Sequence, residues 1–427
     1  MTFSRRVLAN NNTLIMNIRS DFPVFEKYPS LIYLDSAATA QRPNYVIDWI
    51  ASYMRYSYSN IHRGAYELSS ISEELYELSK KKVQENIWAK ETSEIIYTYN
   101  STYGINLLAQ SLKKTWWLKK DDTILVNIAE HHANFVPWLM LKEEINIELN
   151  TIWYNQDSGF DYDIFTQSLS QNVRLIALTA ASNTTGEKID LLRIKNILDQ
   201  TYISWVRPFL VIDASQLLPH EQINVELYNI DFLVFTGHKV MADTGIGVLY
   251  GKKEHLRKLI PAFSGWWAIN YVSANDFSPA GLPYRFEPWT PHLVWAVSLL
   301  RAFEYIESIW WYEAIASHEK EITAYIFHKL HDFLPYKNGQ ISLIGSKNPD
   351  IRIGLFSFAL KDIHPHDVAD FLADNNIAVR SWHHCTEPLH MSLWIPASIR
   401  LSIACYTTKE DIDTFFLVLE KALITLS

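Results

Sequence analysis

The sequence predicts an α/β fold: a large domain built on a mostly parallel, doubly wound sheet, then a smaller C-terminal α+β domain. Three observations carry that expectation. Short β-rich runs alternate with helical patterns, a chain of 427 residues exceeds one small core, and the pattern changes character after His292. The candidate strands are Thr123 to Ile128, Thr151 to Tyr154, Arg174 to Thr179, Phe209 to Ile212, Phe232 to Phe235 and Ile246 to Tyr250. Helical spacing marks Leu68, Ile71, Leu75 and Leu78, and again Ile105 to Trp116. Alternation of this kind means parallel strands covered on both faces. Beyond it, one long helix is expected from His292 to Ala316, then mixed pieces and an apolar helix from Ile412 to Leu426. The expected organisation is an extension at 1–16, a large domain at 17–300 and a small domain at 301–427. The residues before about 30 are expected to pack on the small domain.

Composition narrows the function. The chain is 48% hydrophobic and 20% charged, ordinary values for a folded soluble protein. Its net charge of −9 argues against nucleic acid or an anionic membrane as main partner. No apolar run approaches the roughly 18 residues of a membrane helix. Arg5 and Arg6 are followed by no apolar segment, so the start reads as an extension, not a signal peptide. Two cysteines, Cys385 and Cys405, make no disulfide framework and suggest a cytoplasmic home. Glycine is scarce at 13 and tryptophan abundant at 15, so a tryptophan at a tight turn draws notice.

Ligands of open α/β sheets bind beyond the carboxyl ends of the strands. Those ends carry Glu130-His131-His132-Ala133-Asn134, then Ser182-Asn183, then Asp213-Ala214-Ser215-Gln216, then Thr236-Gly237-His238-Lys239. Singly, each is explained by a turn, a cap or a solvated surface. Together they offer a ring for stacking, an amide, a carboxylate and a lysine beside a hydroxyl. An amine nucleophile, with a carboxylate to keep a pyridinium nitrogen protonated, is what pyridoxal 5'-phosphate requires. Asn100-Ser101-Thr102, ahead of a helix, suits the phosphate, although the same residues serve equally as a plain helix cap.

Further segments extend the pattern: "YLDSAATAQRP" (Tyr33–Pro43), "NIHRGAYELS" (Asn60–Ser69), "AEHHANFVPW" (Ala129–Trp138), "VIDASQ" (Val211–Gln216), "TGHK", "RFEPWTP" (Arg285–Pro291), "AVRSWHHC" (Ala378–Cys385), and Arg400 beyond them. In this order they resemble the class V, fold-type I pyridoxal-phosphate enzymes, in the cysteine desulfurase and selenocysteine lyase branch with a short catalytic-cysteine loop. The resemblance implies that Lys239 bonds the coenzyme and moves the Cα proton, while His131 stacks on its ring. Asp213 would pair with the pyridinium nitrogen and Gln216 with the phenolic oxygen. Ser101, Thr102, Thr236 and His238 would hold the phosphate, with Thr290 supplied by a partner subunit. Arg400 would clamp the substrate carboxylate, helped by Asn183, with Ala38, His62 and Arg63 lining the substrate site. The reaction implied converts L-cysteine (or L-selenocysteine) to L-alanine, Cys385 taking the sulfur of cysteine as a persulfide, with His383 and His384 as candidates to favour its thiolate. A homodimer, a sulfur-acceptor protein, and a place in sulfur metabolism or iron–sulfur cluster assembly follow by the same resemblance. No metal site is expected, since adjacent histidines rarely aim at one ion.

The chain departs from that pattern at several points. Trp266, Trp289 and Trp382 stand where the family has glycine, Tyr99-Asn100 where it has Arg-Gly, and Met241-Ala242-Asp243 where it has Tyr-Gly-Pro. The tryptophans either reshape the substrate pocket or pack into a subunit interface. Two rival readings remain. One is a relative that eliminates, transaminates or epimerises another amino acid without needing Cys385. The other is a binding scaffold with little catalysis, for which Lys239, Asp213, His131 and Arg400 would be superfluous.

Overall fold

A computed structural model describes residues 18–62, 64–155, 159–309 and 311–427. The expected extension at 1–16 and Arg63 lie outside the described residues.

Seven strands form the central sheet: β1 (Ile95–Thr98), β2 (Thr123–Asn127), β3 (Glu148–Ile152), β4 (Val173–Thr179), β5 (Phe209–Asp213), β6 (Phe232–Thr236) and β7 (Gly247–Gly251). Their order is β1-β7-β6-β5-β4-β2-β3, and every adjacent pair is parallel except the two made by β7. The interior strands are apolar on both faces because helices cover both faces. One face packs Leu125, Ile176, Ile212 and Phe235 against one core. The other packs Ile124, Ala177, Val211 and Val234 against Leu108 and Trp138. One strand expectation shifts and one strand is new. β3 begins at Glu148 and ends at Ile152, because at the sheet edge exposed Glu148 and Asn150 alternate with more covered residues. The edge strand β1 was not foreseen, its short apolar run being too brief to separate from a helix by period.

The helices that matter for the site are α1 (Asn44–Tyr56), α2 (Glu67–Ile87), α3 (Ser101–Lys114), α4 (Leu293–Ser308), α5 (Trp311–Asp332) and α6 (Lys409–Thr425). The single helix expected from His292 to Ala316 is two helices, α4 and α5, with Ile309 outside helical geometry at ψ 28°. The two share the large core at their junction, where α5 buries Tyr312 and Ile315, and then diverge. α4 buries Val297, Leu299 and Phe303 in the large core, whereas α5 carries Ile322, Ile326 and Leu330 into a second core. The expected boundary at 300 therefore falls inside α4.

That second core lies under a four-stranded antiparallel sheet of β8 (Ile341–Ile344), β9 (Leu355–Leu360), β10 (Arg380–Trp382) and β11 (Ser398–Ser402), in the order β8-β9-β11-β10. The start of the described chain also joins it. Ile32 and Tyr33 pair in parallel with Ile377 and Ala378, and Arg19 bonds the carbonyl of Tyr406 and the carboxylate of Asp411.

Candidate active site

The register of the sheet brings the polar strand ends level. Asp213 closes β5 opposite Thr179, and Thr236 closes β6 opposite Gly247. Chain reversal after β6 makes a single 3₁₀ turn, Gly237–Lys239, which lifts Lys239 over the end of the sheet. The carbonyl of His238 accepts Ala40 N–H at 3.0 Å, so this turn is tied to the segment carrying Ala37 and Ala38.

Charge in this pocket is strongly perturbed. Burial lowers the Lys239 amine from the usual lysine range to about 8, with Asp213 opposing that shift and Arg400 adding to it. Burial raises the Asp213 carboxyl, while Ser215 and Lys239 counteract. The Asp213 Oδ1 accepts Ser215 N–H at 2.9 Å. His131 is pushed down to about 3 by burial and then by Lys239. Its Nδ1 accepts Ala133 N–H at 3.0 Å, so the neutral ring carries its proton on Nε2. His238 falls to about 4, again through burial first and Lys239 second. A lysine and two histidines held away from their ordinary values mark one electrostatic unit.

The small domain closes it. Arg400 on β11 is 3% exposed, and its Nη1 donates to the carbonyl of Asn183 at 2.9 Å. Its Nη2 lies 3.4 Å from Asp35 Oδ1, and burial still lowers it to about 10. The Asn183 amide donates to the carbonyl of His384 at 2.6 Å and to Thr386 Oγ1 at 3.1 Å. From the other side, His132 N–H donates to the carbonyl of Cys385 at 2.8 Å, and Glu387 N–H donates to His132 Nε2 at 3.1 Å. The loop bearing Cys385 is thus fastened to β2 and β4 ends of the large domain. His384 and Cys385 both take left-handed backbone, φ 52° and 58°. Cys385 is exposed, and a negative charge at its sulfur would act on Lys239, Arg380 and Arg400. Cys405 is buried, which pushes its thiol up.

One expectation about this loop is corrected. His384 cannot supply positive charge to the thiol, because burial and then Arg400 hold it well below the histidine range. Its Nε2 contacts Ser398 Oγ at 3.0 Å, a hydroxyl shared with His390 at 2.9 Å. The nearby cations are Arg380, Arg400 and Lys239. Among the described residues no group of three or more His, Cys, Asp or Glu is placed to hold a metal ion.

At the opposite rim, Asn100 caps α3 by accepting Tyr103 N–H on its side chain at 2.8 Å. The N–H groups of Ser101 and Thr102 begin the helix and have no intrahelical acceptor. The backbone of Asn100 presses on Gly247 so closely that a Cβ there would lie 2.5 Å from it. Gln216 Nε2 donates to the carbonyl of Ala37 at 2.9 Å. Gln216 Oε1 and Thr236 Oγ1 are buried without a partner among the described residues. Orphaned buried polar atoms beside a lysine of lowered pKa fit a polar ligand at this place. The donor set also fits pyridoxal 5'-phosphate: an amine, a buried carboxylate for a ring cation, and a helix start for a phosphate.

Two expected residues stand apart from the cluster in this single chain. Thr290 is exposed. His62 is locked in an aromatic cage, stacked on Trp267 at 3.7 Å and paired with Glu73 at 3.0 Å. The three tryptophans are likewise dispersed. Trp266 contacts Trp267, Trp289 contacts Tyr99 and Tyr103, and Trp382 stacks on His366 at 5.2 Å. Only Trp382 keeps a backbone that favours glycine, φ 112°.

The residue-level reading missed Asp35, Glu130 and Thr386. Glu130 is fully buried, accepts Asn134 Nδ2 at 2.7 Å and Thr179 N–H at 2.8 Å, and is raised well above the carboxylate range by burial. A carboxyl residue directly ahead of His131-His132 was a usable signal. Thr386 offered none, since one hydroxyl in a loop is commonplace.

The aminotransferase class-V family profile matches residues 32–415. The chain belongs to that family. It is 35% identical over 407 residues to a probable cysteine desulfurase of Halalkalibacterium halodurans, covering 95% of this chain and 97% of the relative. It is 36% identical over 414 residues to a probable cysteine desulfurase of Synechocystis sp., covering 94% of each. Among solved structures it resembles the apo cysteine desulfurase of Thermococcus onnurineus NA1, with TM-score 0.88 and 30% identity, covering 96% of this chain and 98% of that one. It also resembles the cysteine desulfurase CsdA of Escherichia coli, with TM-score 0.85 and 28% identity, covering 99% and 100%.

Proposed function

We propose that this chain is a pyridoxal-phosphate-dependent cysteine desulfurase. The observation that carries the reading is one charge-coupled cluster of Lys239, Asp213, His131 and Arg400, over which an exposed Cys385 is held by His132 and Asn183. The relatives reported above carry the same activity in their names.

Bound at Lys239, pyridoxal 5'-phosphate supplies an electron sink that loosens the substrate's Cα–H and then Cβ–S bonds. The remaining work belongs to the protein. The Lys239 Nζ, near 8, is poised to take the Cα proton and to return a proton to carbon at neutral pH. Neutral His131 would stack on the ring without adding positive charge, and buried Asp213 would favour a protonated ring nitrogen. Arg400 receives the substrate carboxylate, a task that suits a planar two-pronged donor. Cys385 Sγ, as thiolate, bonds to the substrate sulfur while the Cβ–S bond breaks. L-cysteine plus the thiol thereby becomes L-alanine plus a Cys385 persulfide, with no outside oxidant.

The reading extends to a homodimer, in which exposed Thr290 meets the coenzyme phosphate of the neighbouring subunit. It extends also to a cytoplasmic home, which keeps the exposed Cys385 reduced, and to a sulfur-acceptor protein. No helix among the described residues is long and apolar enough to cross a membrane.

The test is direct. Purified protein is inspected for the yellow coenzyme absorbance, then given L-cysteine and a reductant while alanine and sulfide are measured. The expected result is alanine formation that disappears in Lys239→Ala and falls on the order of 100-fold or more in Cys385→Ala. Undiminished alanine formation in Cys385→Ala overturns the desulfurase reading, and colourless protein that takes up no coenzyme overturns the coenzyme itself.

A further inference from the structure

Two of the chain's departures from its family pattern meet in space. Tyr99 stands where the pattern has arginine and Trp289 where it has glycine, and their ring centroids are 5.3 Å apart at 35°. Tyr103 joins them, 5.2 Å from Tyr99 and 5.6 Å from Trp289, both edge-on. His292 closes on Tyr99 at 5.0 Å, and Phe263 stacks on Tyr103 at 6.1 Å.

The placement in sequence is what gives this cluster a purpose. Tyr99 immediately precedes Asn100-Ser101-Thr102 and Tyr103 immediately follows, so the rings grip both ends of the turn that opens α3. Beneath the turn, Gly247 allows the Asn100 backbone its close approach. The turn is therefore held by β7 on one side and by aromatic rings on the other. Offset and edge-on pairs of this kind add orientation-dependent stabilisation beyond burial. A binding turn works best when its N–H groups are already in place, since ordering them on binding weakens affinity.

We propose that Trp289, acting through Tyr99 and Tyr103, is a positioning residue that sets the Asn100–Thr102 turn for the phosphate of the ligand bound at Lys239. The inference rests on the coenzyme reading given under Proposed function. The tryptophan supplies by packing a rigidity that glycine at 289 cannot. Thr290 follows directly and is exposed. One short segment thus braces its own chain's phosphate turn and, in a homodimer, presents Thr290 to the neighbour's.

The experiment separates phosphate recognition from general stability. Full-length protein, dialysed free of bound ligand, is titrated with pyridoxal 5'-phosphate and, in parallel, with pyridoxal, which lacks the phosphate. Wild type is compared with Trp289→Gly, Tyr99→Ala and the conservative Trp289→Phe. We expect Trp289→Gly and Tyr99→Ala to weaken pyridoxal 5'-phosphate binding about tenfold, with pyridoxal binding unchanged. Trp289→Phe restores most of the lost affinity, which a merely structural role in folding would not require. Should Trp289→Gly be insoluble, Tyr99→Leu reads the same contact. Equal loss for both compounds, or no loss for either, overturns the bracing role alone. A wild-type protein that binds neither compound overturns the coenzyme reading with it.

Discussion

Arg400 Nη2 lies 3.4 Å from Asp35 Oδ1, joining the small-domain sheet to the chain's N-terminal segment. The same carboxylate receives Arg380 Nη2 at 3.0 Å, and Arg380 and Arg400 are directly opposed on β10 and β11. Two guanidiniums side by side need the anion between them. Asp35→Asn is expected to destabilise the protein by ~2 kcal/mol, below the value for a fully buried pair because Arg380 is half exposed. Asp35→Asn with Arg380→Gln should recover most of it. Urea unfolding of the three proteins checks this, and equal stability throughout would count against a shared carboxylate.

Lys239 makes a prediction about pH. Its folded value near 8 lies below the usual lysine value of 10.5, so at neutral pH the unfolded chain holds this proton more tightly. The cost is full below about 8, shrinks as pH rises, and is gone above 10.5. Stability of the ligand-free protein should therefore rise with pH across that window. Lys239→Met, similar in volume, should be more stable than wild type at pH 7 by up to ~3 kcal/mol. The advantage should vanish above pH 10.5. Parallel thermal melts across pH decide it, and an advantage independent of pH would point to packing instead.

Lys80 and Glu287 are both buried, 2.6 Å apart, beneath the segment that carries Trp289 and Thr290. Glu287 also accepts Tyr76 OH at 2.8 Å and Tyr97 N–H at 2.6 Å, and the lysine lies among the rings of Tyr76, Tyr97 and Tyr284. Lys80→Met leaves a buried carboxylate unpaired and should cost ~3–5 kcal/mol. Replacing both, as Lys80→Met with Glu287→Gln, should cost less than the single change. Denaturant titration of the single and double variants is the check.

Trp382 holds φ 112° while its ring stacks on His366 at 5.2 Å, and Ser381 Oγ contacts His366 Nδ1 at 2.7 Å. Trp382→Gly removes backbone strain of ~1–3 kcal/mol but also the stack. We expect little net change in stability, with faster alkylation of Cys385 as its loop loosens. Alkylation at the wild-type rate would show that the tryptophan does not govern the loop.

Much of the site could be read before folding was considered, because α/β sheets collect ligands at strand ends. Asp213, Lys239, His131 and Asn183 each follow a recognisable apolar run. Their mutual perturbation could not be read, since it depends on burial and on Arg400 from another domain. His384 illustrates the difference. Beside a cysteine it reads as a source of charge, yet inside the fold it is buried and neutral.

The central sheet and its crossover helices were legible because period and strand composition are local properties of the chain. The break between α4 and α5 was not, because an unbroken helical pattern says nothing about where the chain must bend to carry α5 on from the large core into the second one. The same limit applies to the tryptophans. Sequence alone determined that Trp289 and Tyr99 depart from a pattern and that Thr236-Gly237-His238-Lys239 ends a buried strand. Only the tertiary structure decided that the two rings touch across 190 positions, and that Asp35 answers for two arginines. Contacts between distant segments are set by packing and desolvation, which act only once the chain has closed on itself.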